Sequence, residues 1–113
     1  LEGKTTSTFA YRSNILGPTI RAFRGEMLTA SVQNALSEPT NVHWHGLKVP
    51  ANMDGNPVDI VKAGESFQYS FPIDQRAGTH WYHPHPHGAT ARQVHNGLAG
   101  MLIINDGGTG SGY

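Results

Sequence analysis

The stretch Met27-Leu28-Thr29-Ala30-Ser31-Val32-Gln33-Asn34 alternates strictly, with Leu28, Ala30 and Val32 on one side and Thr29, Ser31 and Gln33 on the other. A period of two is the signature of a strand with one face in a core and one in water. Phe67, Tyr69 and Phe71 alternate with Gln68 and Ser70 in the same way. Met101-Leu102-Ile103-Ile104 is a continuous apolar run closed by Asn105-Asp106-Gly107-Gly108, which suits a buried strand. Thr8–Tyr11, Thr19–Phe23, Asn41–His45 and Thr79–His83 are further strand candidates. Turn signals separate them at Gly17-Pro18, Arg24-Gly25-Glu26, Ser37-Glu38-Pro39, Asp54-Gly55-Asn56-Pro57, Ala63-Gly64-Glu65 and Ala77-Gly78. Six to eight short strands so spaced predict a β-sandwich or small barrel. Ala89–His95 lacks Gly and Pro and ends at Asn96-Gly97, so one short helix is expected near 89–95.

The 113 residues suit one domain, read as 1–106, followed by a Gly/Ser-rich tail, 107–113, of linker composition that is expected to be disordered. The leading Leu1 and this tail read as the ends of a piece cut from a longer chain. Eight basic side chains balance eight acidic ones, so no basic stripe for nucleic acid or anionic lipid is expected. No apolar run approaches the ~20 residues that span a bilayer, and the residues contain no signal peptide. Neither nucleic acid nor membrane is an expected partner.

Histidine is in excess: seven copies, all between His43 and His95, in a chain with no cysteine. The lack of thiol excludes disulfides, iron–sulfur clusters and thiolate nucleophiles or metal ligands. His43-Trp44-His45 places two imidazoles on one face of a strand, about 7 Å apart, a separation better suited to two adjacent ions than to chelation of one. His83-Pro84-His85 repeats the spacing, and the prolines show that this segment is leaving its strand. Four imidazoles without sulfur or abundant carboxylate favour copper or zinc, so His43, His45, His83 and His85 are the candidate metal ligands. A zinc hydrolase built on three of them lacks a neighbouring base, since Asp54, Asp59 and Asp74 fall in turns or loops between the clusters. His80, His87 and His95 are left outside the set, with His95 placed favourably at a helix C-terminus. Trp44, Trp81, Tyr82, Phe67 and Phe71 are expected to be core.

In order along the chain stand Gly17-Pro18-Thr19-Ile20-Arg21, Arg24-Gly25-Glu26, Asn41-Val42-His43-Trp44-His45-Gly46-Leu47 and Met53-Asp54-Gly55. Gly78-Thr79-His80-Trp81-Tyr82-His83-Pro84-His85 and Gly97-Leu98-Ala99-Gly100 follow. From about Thr8 to Asp106 the chain thereby resembles the first cupredoxin domain of a multicopper oxidase, the family of laccases, bilirubin oxidases and bacterial copper-efflux oxidases. The resemblance implies an all-β, Greek-key β-sandwich of cupredoxin type and a periplasmic or extracellular setting. It implies copper as cofactor: type 2 copper on His43, one copper of the type 3 pair on His45 and His83, and its partner on His85. His80 and His87 do not fall on ligand positions of that pattern.

Full enzymes of this kind take electrons at a type 1 copper and reduce dioxygen at the trinuclear cluster. The type 1 site needs a cysteine, and the cluster needs four more histidines from another cupredoxin domain. Both are absent from these residues, so an ordinary laccase cycle by one copy is excluded. The expected partners are copper ions and either a missing second cupredoxin domain or further copies of the chain, in a metal-linked dimer or trimer. Two functions follow: an oxidase-derived copper domain capable of oxygen-linked oxidation once its cluster is complete, or a non-catalytic copper-binding or assembly module.

Overall fold

The structure is a computed structural model that describes residues 3, 5–12 and 15–106; the Gly/Ser-rich tail lies outside them. In chain order the elements are β1 (Gly17–Phe23), β2 (Met27–Gln33), β3 (His43–His45), a 3-10 turn (Ala51–Met53), β4 (Ser66–Pro72), β5 (Gly78–His83), α1 (Thr90–His95) and β6 (Gly100–Asn105). One sheet has the order β1-β6-β5-β3 and the other pairs β2 with β4. From β1 to β5 each successive strand changes sheet, so the connections wind around the sandwich in the Greek-key manner. The all-β expectation with one short helix is met, and the helix is α1. Its stop at Asn96-Gly97 is also where expected, with Gly97 at φ 118°.

Alternation decides what each face carries. In β2 and β4, Leu28 stands opposite Phe71 and Ala30 opposite Tyr69, and these pairs face the other sheet. Across the larger sheet the register pairs Trp44 with Tyr82, Tyr82 with Gly100 and His80 with Leu102. Trp44, only 1% exposed, meets Tyr69 at 5.6 Å and Phe71 at 5.3 Å between ring centroids, both edge-on. Each such aromatic pair adds about 0.5–1.5 kcal/mol to what burial already contributes. The indole N–H of Trp44 and the hydroxyl of Tyr11 are buried with no partner among the described residues, a cost set against this packing.

Four sequence expectations fail, each for a tertiary reason. Thr8–Tyr11 forms no strand; Phe9 donates instead to the Asn96 carbonyl at 2.8 Å, and Tyr11 packs on Tyr82 at 5.3 Å. The run in β6 is buried on alternate residues only: Leu102 and Ile104 enter the core, while Met101 is 47% exposed. Trp81 shares that outer face and is 39% exposed, so it is not core. Phe67, at the open end of β4, is also exposed.

The two glycines Gly17 and Gly100 make room for Tyr82. A Cβ on either would overlap the Tyr82 side chain, whose hydroxyl donates to the Pro18 carbonyl at 2.7 Å and so ties β5 to β1 across β6. Gly100→Ala is therefore expected to destabilise the fold by about 1–3 kcal/mol through overpacking. Urea unfolding measures this, and an unchanged midpoint would mean that the Tyr82 contact does not hold the sheet.

Candidate metal centre

The register that buries Trp44 and Tyr82 turns their neighbours outward. His43 stands directly opposite His83, and His45 opposite Trp81, all on the outer face of the larger sheet. Ligand nitrogens of His43, His45 and His83 lie within 4.8 Å of one another, a set able to hold a metal ion. The rings of His43 and His45 stand 5.6 Å apart between centroids, closer than bare strand spacing suggests, because both lean toward His83. His85 lies beyond the strand end with its ring 5.2 Å from that of His43 and 6.1 Å from that of His83. All four sequence candidates thus meet in one place, with His85 at the margin of the tight trio.

Each ring is oriented by what its other nitrogen touches. Nδ1 of His43 lies 3.0 Å from both the main-chain oxygen and Oδ1 of Asp54. These are acceptors, so Nδ1 carries the proton and Nε2 keeps its lone pair. Nδ1 of His83 donates to the Pro84 carbonyl at 2.8 Å, which leaves Nε2 as the nitrogen with the lone pair, turned toward His45. That Nε2 lies 3.1 Å from Nδ1 of His45. Two nitrogens bound at about 2.0–2.1 Å to a single ion also end up about 3 Å apart, so the His45–His83 pair has the spacing of two ligands of one metal. Burial is the main influence holding the His83 imidazole below the ordinary histidine range; His43, His45 and His85 act in the same direction and the Pro84 carbonyl opposes them. A neutral imidazole is the form that binds a metal.

The rings open onto a shallow hollow whose other walls are Trp81 and the Thr90, Ala91, Val94 and His95 face of α1. Trp81 lies against both His45 and His83, at ring separations of 5.0 and 4.1 Å. The helix is pinned by Gln93, which is wholly buried and donates to the Pro39 carbonyl at 2.8 Å and to Glu38 at 2.7 Å. Arg92 adds a two-pronged contact to the Glu38 carboxylate at 2.7 and 2.8 Å, and its hydrogen bond holds that carboxyl below the usual range. His95 therefore shares the hollow although the sequence set it aside. His80 is elsewhere: it lies on the opposite side of β5 from Trp81, with Nε2 3.1 Å from Gln75 Nε2. His87 is exposed away from the hollow.

The expectation that no carboxylate stands beside the histidines is corrected by Asp54. It is distant from them in strand order, but the turn at Gly55 folds it back onto β3. Gly55 sits at φ 57°, and a Cβ there would overlap the Val42 carbonyl and come 2.9 Å from the His43 nitrogen. The sequence signal was the Asp54-Gly55 pair itself, which reads as a turn and as part of the Met53-Asp54-Gly55 segment but with no role at the histidines. Asn41 was also missed as a contributor: it is 0% exposed and accepts a hydrogen bond from the His85 N–H at 2.6 Å.

The sequence model of the multicopper oxidase family matches residues 1–109. The chain is 42% identical over 105 residues to the multicopper oxidase mco of Staphylococcus aureus, covering 93% of this chain and 24% of that protein. It is 36% identical over 104 residues to the cell division protein FtsP of Escherichia coli (strain K12), covering 92% of this chain and 22% of that one. A solved multicopper oxidase from Campylobacter jejuni, described as a metallo-oxidase, superposes with a TM-score of 0.90 at 44% identity, over 96% of this chain and 23% of its own. The chain thus spans about a quarter of the length of the relatives it matches. It belongs to the multicopper oxidase family, as one cupredoxin domain of it.

Proposed function

We propose that this domain binds copper through His43, His45, His83 and His85 and carries one half of the ligands of a type 2/type 3 copper cluster. The observation that supports this most is the convergence of His43, His45 and His83 on an outer sheet face with the His85 ring 5.2 Å from that of His43, the Nδ1 atoms of His43 and His83 being engaged by oxygens so that their Nε2 atoms are the ones left to bind a metal. The donor set suits copper: all-nitrogen, and without a thiolate among these residues. His45 and His83 hold one ion of the type 3 pair, His85 its partner and His43 the type 2 ion, as the family pattern has it. Bound copper supplies one-electron redox chemistry toward dioxygen. The residues themselves orient the imidazoles of His43 and His83, through Asp54 and the Pro84 carbonyl, and burial favours the neutral form of His83.

Half a cluster needs a second half. A second cupredoxin domain supplies it in a longer chain, and a second or third copy of this domain supplies it otherwise, docked hollow to hollow around a symmetry axis. An assembly made only of copies of this domain is capable of oxygen-linked oxidation with electrons from an external reductant, because these residues contain no cysteine for a type 1 relay. The second reading, a non-catalytic copper-binding or assembly module, is favoured by one specific likeness: a relative at 36% identity is named for cell division rather than for oxidation.

Spectra of the copper-loaded protein separate the two. A near-ultraviolet band with a magnetically silent copper pair is expected for the cluster reading, whereas a lone tetragonal signal supports the module; an intense blue colour would contradict both, since it requires a thiolate. Copper titration tests the residues. His45→Ala, His83→Ala and His85→Ala should each lower affinity roughly tenfold or more or remove an equivalent of copper, and His87→Ala should bind like the parent; equal loss in all four would sink the assignment.

Assembly is read by sedimentation with and without copper. A larger species is expected only with the metal, and a monomer at high concentration in both states would remove the homo-oligomer from the proposal.

A further inference from the structure

We infer that Asn41 is a positioning residue of the metal centre, whose buried carboxamide clamps the 54–59 loop to the segment carrying His85 and so fixes His43 and His85 relative to each other. The inference rests on the copper reading above.

The carboxamide is wholly buried and uses both of its ends. Its Oδ1 accepts the His85 N–H at 2.6 Å. Its Nδ2 donates toward three carbonyls of one loop, those of Gly55 at 3.2 Å, Asn56 at 2.9 Å and Asp59 at 3.1 Å. Two hydrogens serve three acceptors, so at least one is shared. The loop so held begins next to Asp54, whose main-chain and carboxylate oxygens face Nδ1 of His43. A second bond runs along the same seam, from the His87 N–H to the Pro57 carbonyl at 3.0 Å. One side chain therefore touches His85 directly and the support of His43 indirectly.

The chemistry leaves little choice at this position. Aspartate keeps the acceptor for His85 but turns a carboxylate toward three carbonyl oxygens. Leucine fills the volume but removes the acceptor of the His85 N–H and the side-chain donor to the Gly55 and Asp59 carbonyls, while the Asn56 carbonyl keeps only the Asp59 N–H. Glutamine is one methylene too long for a site with no exposed surface. Only a short carboxamide offers an acceptor to one loop and donors to the other.

Asn34 provides a matched comparison. It too is buried and bonds main-chain groups, at Leu36, Glu38 and Val61, but touches no imidazole or imidazole support. The test uses the whole 113-residue chain with Cu(II) as the probe, and compares Asn41→Ala with Asn34→Ala. Both should lower the thermal midpoint. Only Asn41→Ala should weaken Cu(II) binding by tenfold or more and change the hyperfine pattern of the copper resonance in the folded protein. Parent-like affinity and spectrum in Asn41→Ala would overturn the inference, whatever happens to the midpoint.

Hydrogen exchange of the unsubstituted protein decides the matter if Asn41→Ala does not fold. The His85 amide should exchange as slowly as that of Leu102 in β6, and exchange at the rate of an exposed loop would overturn the clamp. If the parent chain takes up no Cu(II), the copper reading fails by itself, and the His85 amide still tests the clamp.

Discussion

Everything at the candidate metal centre depends on one antiparallel register, the pairing of β3 with β5 that sets Trp44 against Tyr82. Those two rings are buried between the sheets, and their burial is what the pairing gains. Side chains alternate along a strand, so the same register must send His43, His45, Trp81 and His83 to the other side. A slip of one residue would put imidazoles into the core and Trp44 into water. The histidines do not need to attract one another to meet. The hydrophobic face brings them together, which is why a chain without metal can still present a converged set of donors.

Main-chain carbonyls then do what the register cannot. Strand pairing places the imidazoles but leaves their rings free to rotate and to choose a tautomer. The Asp54 and Pro84 oxygens each take an Nδ1 proton, and each acceptor belongs to a segment that has no freedom of its own. Pro84 is constrained by its ring, and Asp54 by Gly55, whose lack of a Cβ lets the turn press against the β3 backbone. Orientation by supports of this kind is the part of a metal site that ligand identity alone never conveys.

What could be read in the sequence was whatever depends on local period. The alternation of Met27–Gln33, the two His-x-His pairs and the helix ending at Asn96-Gly97 are short-range patterns, and each is found where it was read. What escaped depends on how loops close in space. Asp54 lies between the clusters in sequence and beside His43 in the fold. Trp81 and Met101 looked like core because apolar residues usually are; here they stand opposite each other on the outward side of β5 and β6, a parity that only the register reveals. Asn41 was invisible for a related reason, since a buried asparagine declares itself only through the segments it joins.

The outer face carries a second consequence. A sheet face that is open to water is normally polar, yet here Trp81 and Met101 lie exposed on the face that carries the histidine hollow. On the reading proposed above, whatever supplies the other half of the ligands also covers Trp81, because it must approach the hollow from its open side. A surface matched to itself does this with the fewest new features, since each half presents the same rings to the other. A different cupredoxin domain does it with one advantage: its own register can place a further set of imidazoles where this chain, bound by the Trp44–Tyr82 pairing, has none.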